Sequence, residues 1–170
     1  MEKSGVRPER PDSRRKILAL YVLTLAGSAL WLLAIAMAPF LADRIPRLAA
    51  GVYACFSPLC HQIPERSFSL FGHPLAVCAR CTGIYAGILS GLLAYPKIRG
   101  FAALRLPSTR LFLLLSAPIA ADTAAHWLGF WSSGNVLRFL TGFAWGSVLP
   151  YYFMTGVGEW LLSRRPQREA

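Results

Sequence analysis

The residues best suited to chemistry lie close together in one part of the sequence. Cys78 and Cys81 form a Cys-x-x-Cys pair, and Cys60 and His61 precede it by fewer than 20 residues. Positions three apart share a face of a helix, so both sulfurs of the pair can reach one metal ion or form one disulfide. The metal ligands predicted are Cys60, His61, Cys78 and Cys81. A Cys₃His set of this kind suits four-coordinate zinc.

The surroundings of the Cys-x-x-Cys pair favour reactive sulfur. The pair opens a predicted helix beside Arg80, and a helix N-terminus and a cation both stabilise the thiolate. Thiol–disulfide exchange is therefore the alternative, with Cys60 as the resolving thiol. Because Cys60 and His61 are adjacent, there is little room for both to bind the same ion. His61 therefore either ligates the ion or supports the site from outside it. In the second case Cys55 is the replacement donor, although its place in a short amphipathic helix predicts a buried thiol.

Further polar side chains interrupt apolar segments later in the chain. Asp122 and His126 stand four residues apart on one predicted helix face, and Arg138 opens the last apolar segment. An ionisable residue within a membrane-length segment is a functional hypothesis by default. The candidate catalytic residues are Asp122, His126 and Arg138. The candidate residues lining a cofactor or substrate pocket with them are Arg80, Glu65, Arg66 and Asn135.

Long apolar segments must position these residues. The chain is 55% hydrophobic and 15% charged, against about 25% charged in soluble domains. We predict an all-α, multi-pass membrane protein, a bundle of four transmembrane helices with a short interfacial helix in its first outer loop. The predicted transmembrane domain spans residues 17–162, with spans at 17–40, 74–95, 111–130 and 136–162. Basic tails at residues 1–16 and 163–170 flank it, and the first is predicted to be disordered.

Basic residues set the predicted orientation. Thirteen Lys and Arg residues lie in the two tails and the middle loop, and five lie in the remaining segments. The positive-inside rule then places both termini in the cytoplasm and the cysteines at the extracytoplasmic face of a bacterial or archaeal cytoplasmic membrane. Since the basic residues flank apolar runs and form no patch with interleaved aromatics, we expect a lipid bilayer as partner and no nucleic acid.

Glycines recur every four residues in two of the apolar segments. Gly83, Gly87 and Gly91 lie in the second span, and Gly142 and Gly146 lie in the fourth. Small residues at this spacing allow close approach of membrane helices. They predict that the second span lies at the centre of the helix bundle. The face formed by Gly83, Gly87 and Gly91 could also be the contact surface of a homo-oligomer.

The sequence resembles a known family in several short motifs. These motifs are Cys60-His61-Gln62, Pro64-Glu65-Arg66-Ser67-Phe68, Val77-Cys78-Ala79-Arg80-Cys81 and, later, Asp122, Asn135, Arg138, Thr141 and Gly142. They resemble the small predicted prokaryotic membrane proteins classed as domain of unknown function 2085, over roughly residues 50–150. The resemblance implies a membrane protein and supplies no activity.

A weaker similarity concerns the quinone-coupled disulfide oxidases of bacterial inner membranes. Those proteins also have four helices and a Cys-x-x-Cys at the outer start of the second span, but their second cysteine pair lies in the second outer loop. The similarity implies a quinone as electron acceptor if Cys78 and Cys81 are redox-active. A third hypothesis is a transporter or lipid-headgroup-handling protein, with arginines binding a phosphate or headgroup.

Overall fold

The protein is mostly helical, as the apolar segments predict. The computed structural model describes residues 11–98, 108–130 and 133–163, and within them the chain forms five α-helices and one β-hairpin. The helices are α1 (Pro11–Ala42), α2 (Pro46–Phe56), α3 (Ala79–Ile98), α4 (Thr109–Trp127) and α5 (Asn135–Ser163). A single-turn 3-10 helix covers Pro64–Arg66, and the hairpin strands are β1 (Ser69–Leu70) and β2 (His73–Pro74).

Two boundaries differ from the sequence prediction. Helix α1 begins at Pro11, so the second part of the tail predicted to be disordered is helical, while residues 1–10 and 164–170 lie outside the described part. Helix α3 begins at Ala79 and not at residue 74, because the hairpin extends to Pro74 and a short bent segment follows it. Phe71 and Gly72 have φ angles of 54° and 82°. Positive φ at both central residues is typical of the tight turns that match the twist of a hairpin.

The closest packing in the fold joins α3 to α5. Gly83, Gly87 and Gly91 of α3 lie directly on the α5 backbone, where an added methyl group would overlap carbonyl oxygens. Those oxygens belong to Phe139, Phe143 and Ser147. Gly142 and Gly146 of α5 meet the α3 backbone in the same way. The predicted packing role of both glycine series is confirmed, and the α3 face considered for self-association is covered by α5 of the same chain.

Helix α1 packs against α2 and α3 and has an apolar exterior. Among the described residues, one helix is long and apolar enough to cross a membrane by length and composition, and it covers Arg14–Ala42 with a mean hydropathy of 2.1. Pro39 lies inside α1 and has no N–H, so the Ile35 carbonyl lacks its usual helical donor. The backbone N–H of Ala76 donates to that carbonyl instead, at 3.5 Å. This contact ties α1 to the segment before α3.

Two separate apolar cores lie at opposite ends of α3. The cysteine-end core consists of Ile35, Ala38, Phe56, Cys60, Leu75, Ala76 and Val77. The tyrosine-end core consists of Ile17, Tyr21, Leu92, Tyr95 and Met154. The first is built largely from α1, α2 and the loop before α3, and it contains one of the candidate metal ligands.

Candidate functional site

Three cysteines from two distant parts of the sequence form one cluster. The sulfur atoms of Cys60, Cys78 and Cys81 all lie within 4.8 Å of one another. In a tetrahedral zinc site with Zn–S bonds of about 2.3 Å, the sulfurs lie roughly 3.8 Å apart. The cluster therefore needs only a small contraction to hold such an ion. Cys60 is buried, and the other two side chains are half-buried.

Cys60 is positioned by the end of α2 and by Gln62. The backbone N–H of Cys60 donates to the carbonyl of Phe56 at 3.1 Å, which continues the last turn of α2. Gln62 adopts a φ of 50°, uncommon for a residue with a side chain. Its Nε2 donates to the carbonyls of Tyr53 at 2.7 Å and Ala76 at 2.8 Å. Gln62 thus joins α2 to the segment that leads into Cys78.

Cys78 and Cys81 are positioned by the first turn of α3. Cys78 directly precedes the helix, and its backbone N–H donates to the sulfur of Cys60 at 3.2 Å. Hydrogen bonds from the Cys78 and Cys81 thiols, followed by backbone N–H groups, hold the pKa of Cys60 well below its usual range. The positive end of the α3 dipole also favours negative charge here. The arrangement therefore favours a thiolate at Cys60, the form that binds metals.

Two predicted donors lie outside the sulfur cluster. His61 is exposed and is not one of the residues whose donor atoms come together, although it borders the neighbouring cavity. Cys55 is exposed on α2, so the expected buried thiol is wrong and the cluster does not include it. The described residues bring together a Cys₃ set and not a Cys₃His set.

A cavity of about 390 Å³ opens beside the cluster. All three cluster cysteines line it, together with three arginines and two histidines. The arginines are Arg66, Arg80 and Arg138, and the histidines are His61 and His126. Residues from the first loop, α3, α4 and α5 therefore meet at one place. Because Arg66, Arg80, His126 and Arg138 all border the cavity, most of the predicted pocket residues share one surface.

Asp122 lies behind this surface and not on it. Its Oδ2 accepts an ion-pair hydrogen bond from Nη2 of Arg80, and its side chain is 6% exposed, against 23% for Arg80. Asp122 is not among the residues that line the cavity. The candidate catalytic residue is thus the buried carboxylate partner of Arg80. The pair neutralises the charge of that arginine at the cavity wall.

Arg138 is a buried cation with a polar partner and no acidic one in the described part of the chain. It is 6% exposed, and its Nε donates to Oγ of Ser133 at 3.1 Å. Among the described residues no carboxylate lies within ion-pair distance of Arg138 or Arg66. Arg66 and Arg80 repel the charge of Arg138, whereas Asp122 and Cys78 attract it from beyond ion-pair distance. Burial of a charge without a direct ion-pair partner is costly, so a bound anion would stabilise this arrangement.

Asn135 and Glu65 hold the site together from outside the cavity. Nδ2 of Asn135 donates to the backbone carbonyls of Glu65 at 3.3 Å and Ser67 at 3.2 Å. Neither Asn135 nor Glu65 lines the cavity, and the Glu65 side chain is exposed. The two predicted pocket residues therefore fix the 3-10 turn against the start of α5. This contact places Arg66, which lies between Glu65 and Ser67.

Two residues outside the predicted set, Gln62 and Ser133, also support the site. For Gln62 the one available signal in the sequence was its place directly after Cys60-His61. Ser133 precedes Arg138 by five residues, and its contact with Nε depends on the turn that begins α5. Neither contact follows from helix periodicity, because both residues lie outside the helices.

Comparisons with known proteins cover the sulfur cluster and the three arginines that line the cavity. The family model described as "Predicted membrane protein (DUF2085)" matches residues 60–152, which confirms the resemblance seen in the motifs. An uncharacterised protein of Methanocaldococcus jannaschii is 36% identical over 140 residues, which cover 79% of this chain and 90% of that protein. An uncharacterised protein of Methanothermobacter thermautotrophicus is 42% identical over 89 residues, or 51% of this chain and 77% of that protein. No solved structure matches the chain.

Proposed function

Because the chain belongs to the DUF2085 family of predicted membrane proteins, we propose that it is a multi-pass protein of the cytoplasmic membrane that binds zinc or another thiophilic ion. Cys60, Cys78 and Cys81 are the proposed ligands. The observation that carries the proposal is the convergence of three sulfurs within 4.8 Å at the wall of an arginine-lined cavity. The proposed site lies at the extracytoplasmic face.

Helix lengths and exposed side chains support the membrane part of the proposal. Helices α1, α3, α4 and α5 contain 32, 20, 19 and 29 residues, and about 20 residues cross a hydrocarbon core of roughly 30 Å. Large apolar side chains cover the exterior, including Leu23 at 72% exposed and Leu114 at 70%. Trp127 and Phe130 at the end of α4 are 86% and 83% exposed, as suits aromatic residues at a membrane interface.

The number of sulfurs favours a metal over a disulfide. A disulfide between Cys78 and Cys81 uses two sulfurs and leaves Cys60 without a partner, whereas a metal ion uses all three. Thiols outside the cytoplasm tend to be oxidised, and coordination within a largely buried cluster protects them. Cys60, Cys78 and Cys81 would supply three ligands of a tetrahedral ion, which leaves one position for water or a substrate group. All three cysteines border the cavity, so such a group would come from there.

Elemental analysis of the purified full-length protein, combined with thiol counting, tests the proposal. We expect one zinc or similar ion per chain, with Cys55 reacting freely and the other three cysteines reacting only after chelation. The exposed Cys55 is an internal control for reagent access. A metal-free protein with a reducible Cys78–Cys81 bond would overturn the proposal. It would support thiol–disulfide exchange instead, with a quinone as candidate electron acceptor.

A further inference from the structure

We infer that the cavity beside the sulfur cluster binds a phosphate group through the guanidinium groups of Arg66 and Arg138. The inference deepens the proposed function and rests on it, because the proposed metal position borders the same cavity. It concerns the class of ligand that enters the site.

The charge balance leaves the cavity short of an anion. The ion pair of Arg80 with Asp122 is neutral, and three thiolates with a divalent ion carry one negative charge. Arg66 and Arg138 add two positive charges with no carboxylate partner among the described residues. The described wall therefore keeps an excess of one positive charge even after the metal site is filled. Since Arg138 is only 6% exposed, an anionic ligand recovers part of its desolvation cost.

The donors of Arg138 are arranged to receive such a ligand. Its Nε is committed to Ser133 at 3.1 Å, and Nη1 and Nη2 are the donors that remain. Because Ser133 is itself only 4% exposed, this hydrogen bond is shielded from solvent and restrains the guanidinium group. A fixed guanidinium group offers paired N–H donors that match the oxygens of phosphate and carboxylate groups.

The directions of approach favour phosphate over carboxylate. Arg66 comes from the 3-10 turn and Arg138 from the first turns of α5, while the sulfur cluster comes from the end of α2 and the start of α3. A ligand that meets the cluster and both arginines therefore makes contacts in three directions, which three separate oxygens satisfy best. A tetrahedral phosphate group has enough oxygens for all three contacts. A carboxylate that gives one oxygen to the metal keeps one for two arginines.

The phosphate can come from a lipid headgroup or from a water-soluble compound. Leu59 and Trp127 line the cavity and are 55% and 86% exposed, so part of the rim is apolar and lies at the proposed membrane interface. A lipid phosphate would approach along this rim, whereas a soluble phosphate would not need it. The two sources share the arginine contacts and differ in their dependence on an acyl chain.

Calorimetric titration of the zinc-containing full-length protein in detergent tests the inference. The two probes are inorganic phosphate and dihexanoyl phosphatidic acid, and zinc is measured in every sample. We expect wild-type protein to bind at least one probe, and Arg66→Gln and Arg138→Gln to weaken binding by about tenfold or more, the loss expected for a charge-assisted hydrogen bond. Arg47→Gln is the matched control, because Arg47 is exposed on α2 and does not line the cavity.

Each outcome separates this inference from the proposed metal site. Wild-type protein that contains zinc and binds neither probe overturns the inference and leaves the metal site intact, whereas wild-type protein without metal overturns the proposed function. Equal losses in Arg66→Gln and Arg47→Gln also overturn the inference. If Arg138→Gln does not fold, Arg138→Lys keeps the charge without the paired donors, and Arg66→Gln changes a half-buried loop residue. Preference for the lipid probe identifies a headgroup, and preference for inorganic phosphate identifies a soluble source.

Discussion

The two ends of α3 pack against the same partner and yet differ in what they surround. Near the N-terminus, Gly83 rests on the α5 backbone beside the cysteine cluster and its charged cavity. Near the C-terminus, Gly91 makes the same kind of contact, but Leu92 and Tyr95 are 0% and 1% exposed in an apolar core. The same pairing of helices therefore borders a charged cavity at one end and a buried apolar core at the other.

The contrast between the two ends shows how close helix packing can support a cavity that does not itself stabilise the fold. Cavities and grouped positive charges do not stabilise a fold, whereas close packing does. Helix packing and the cavity wall meet at Gly142, which lies against the backbone carbonyl of Arg80. Helix packing thus fixes the backbone of a residue in the cavity wall. A site held by rigid helices keeps its geometry better than one held by loops.

The largest expected effect is loss of the metal on substitution at the cysteine end. Cys60→Ser removes one of three proposed ligands, and structural zinc sites contribute about 10–16 kcal/mol of apparent binding free energy. We expect metal content to fall close to zero by elemental analysis. Cys55→Ser and His61→Ala are controls that should retain full metal content, because neither residue belongs to the sulfur cluster. Loss of metal in His61→Ala would restore histidine as a ligand.

Substitution in the tyrosine-end core should lower stability without affecting metal content. Leu92→Ala removes a fully buried side chain, and large-to-small changes of this kind cost about 2–5 kcal/mol. Thermal unfolding in detergent should show a clear decrease in midpoint, with unchanged metal per folded chain. The neighbouring Leu93→Ala is the control, because Leu93 is 59% exposed and should change the midpoint little. Metal loss in folded Leu92→Ala protein would show that the two ends are not separable.

Asp122→Asn should separate stability from ligand binding at the cysteine end. The substitution leaves Arg80 without its carboxylate, and partial exposure of Arg80 limits the destabilisation to about 1–3 kcal/mol. The cavity gains one positive charge, so inorganic phosphate should bind more tightly than to wild-type protein in calorimetry. Asp43→Asn is a suitable control, since Asp43 is exposed and pairs with His73 at 2.9 Å. Weaker phosphate binding in Asp122→Asn would instead favour a direct role for the carboxylate.

Gln62→Ala should have the smallest effect, confined to metal affinity and local order. Two hydrogen bonds from its Nε2 are lost, each worth about 0.5–1.5 kcal/mol. Because these bonds hold the segment that leads into Cys78, we expect metal affinity to fall by about tenfold or less. Competition with a chelator would measure this change. Exposed Ser57→Ala is the control, because its hydroxyl bonds only within the last turn of α2, to the Ala54 carbonyl at 2.9 Å. Equal affinities in both variants would contradict a role for Gln62.

The sequence predicted the elements of the fold because their signals are periodic or continuous. Four long apolar segments indicated helices, glycines four residues apart indicated a helix contact, and Cys-x-x-Cys indicated a shared sulfur site. The approach of Cys60 to that pair was also predicted, since its soft donor chemistry needs a partner. These inferences depend on residue type and local spacing, which are properties of the chain itself.

Contacts set by tertiary geometry were not predictable in the same way. The choice of Arg80 as the partner of Asp122 depends on how α4 lies against α3. The hairpin was missed because Pro74–Val77 continues the apolar run of α3, and its turn has Phe71 where a glycine or asparagine is usual. His61 was assigned as a ligand by proximity in sequence, whereas side-chain direction decides ligation.

The hydrogen bond from Ala76 to the Ile35 carbonyl gives the first helix a structural role beyond its apolar surface. Because Pro39 cannot donate to that carbonyl, α1 can bind the backbone of Ala76, which is two residues before Cys78. A chimera with an unrelated helix of equal length and hydropathy would insert equally well and yet lack this contact. The family match begins at residue 60, so a segment outside it helps to set the position of a proposed ligand within it. Truncation or replacement of the first helix is therefore a change to the site and not only to its attachment.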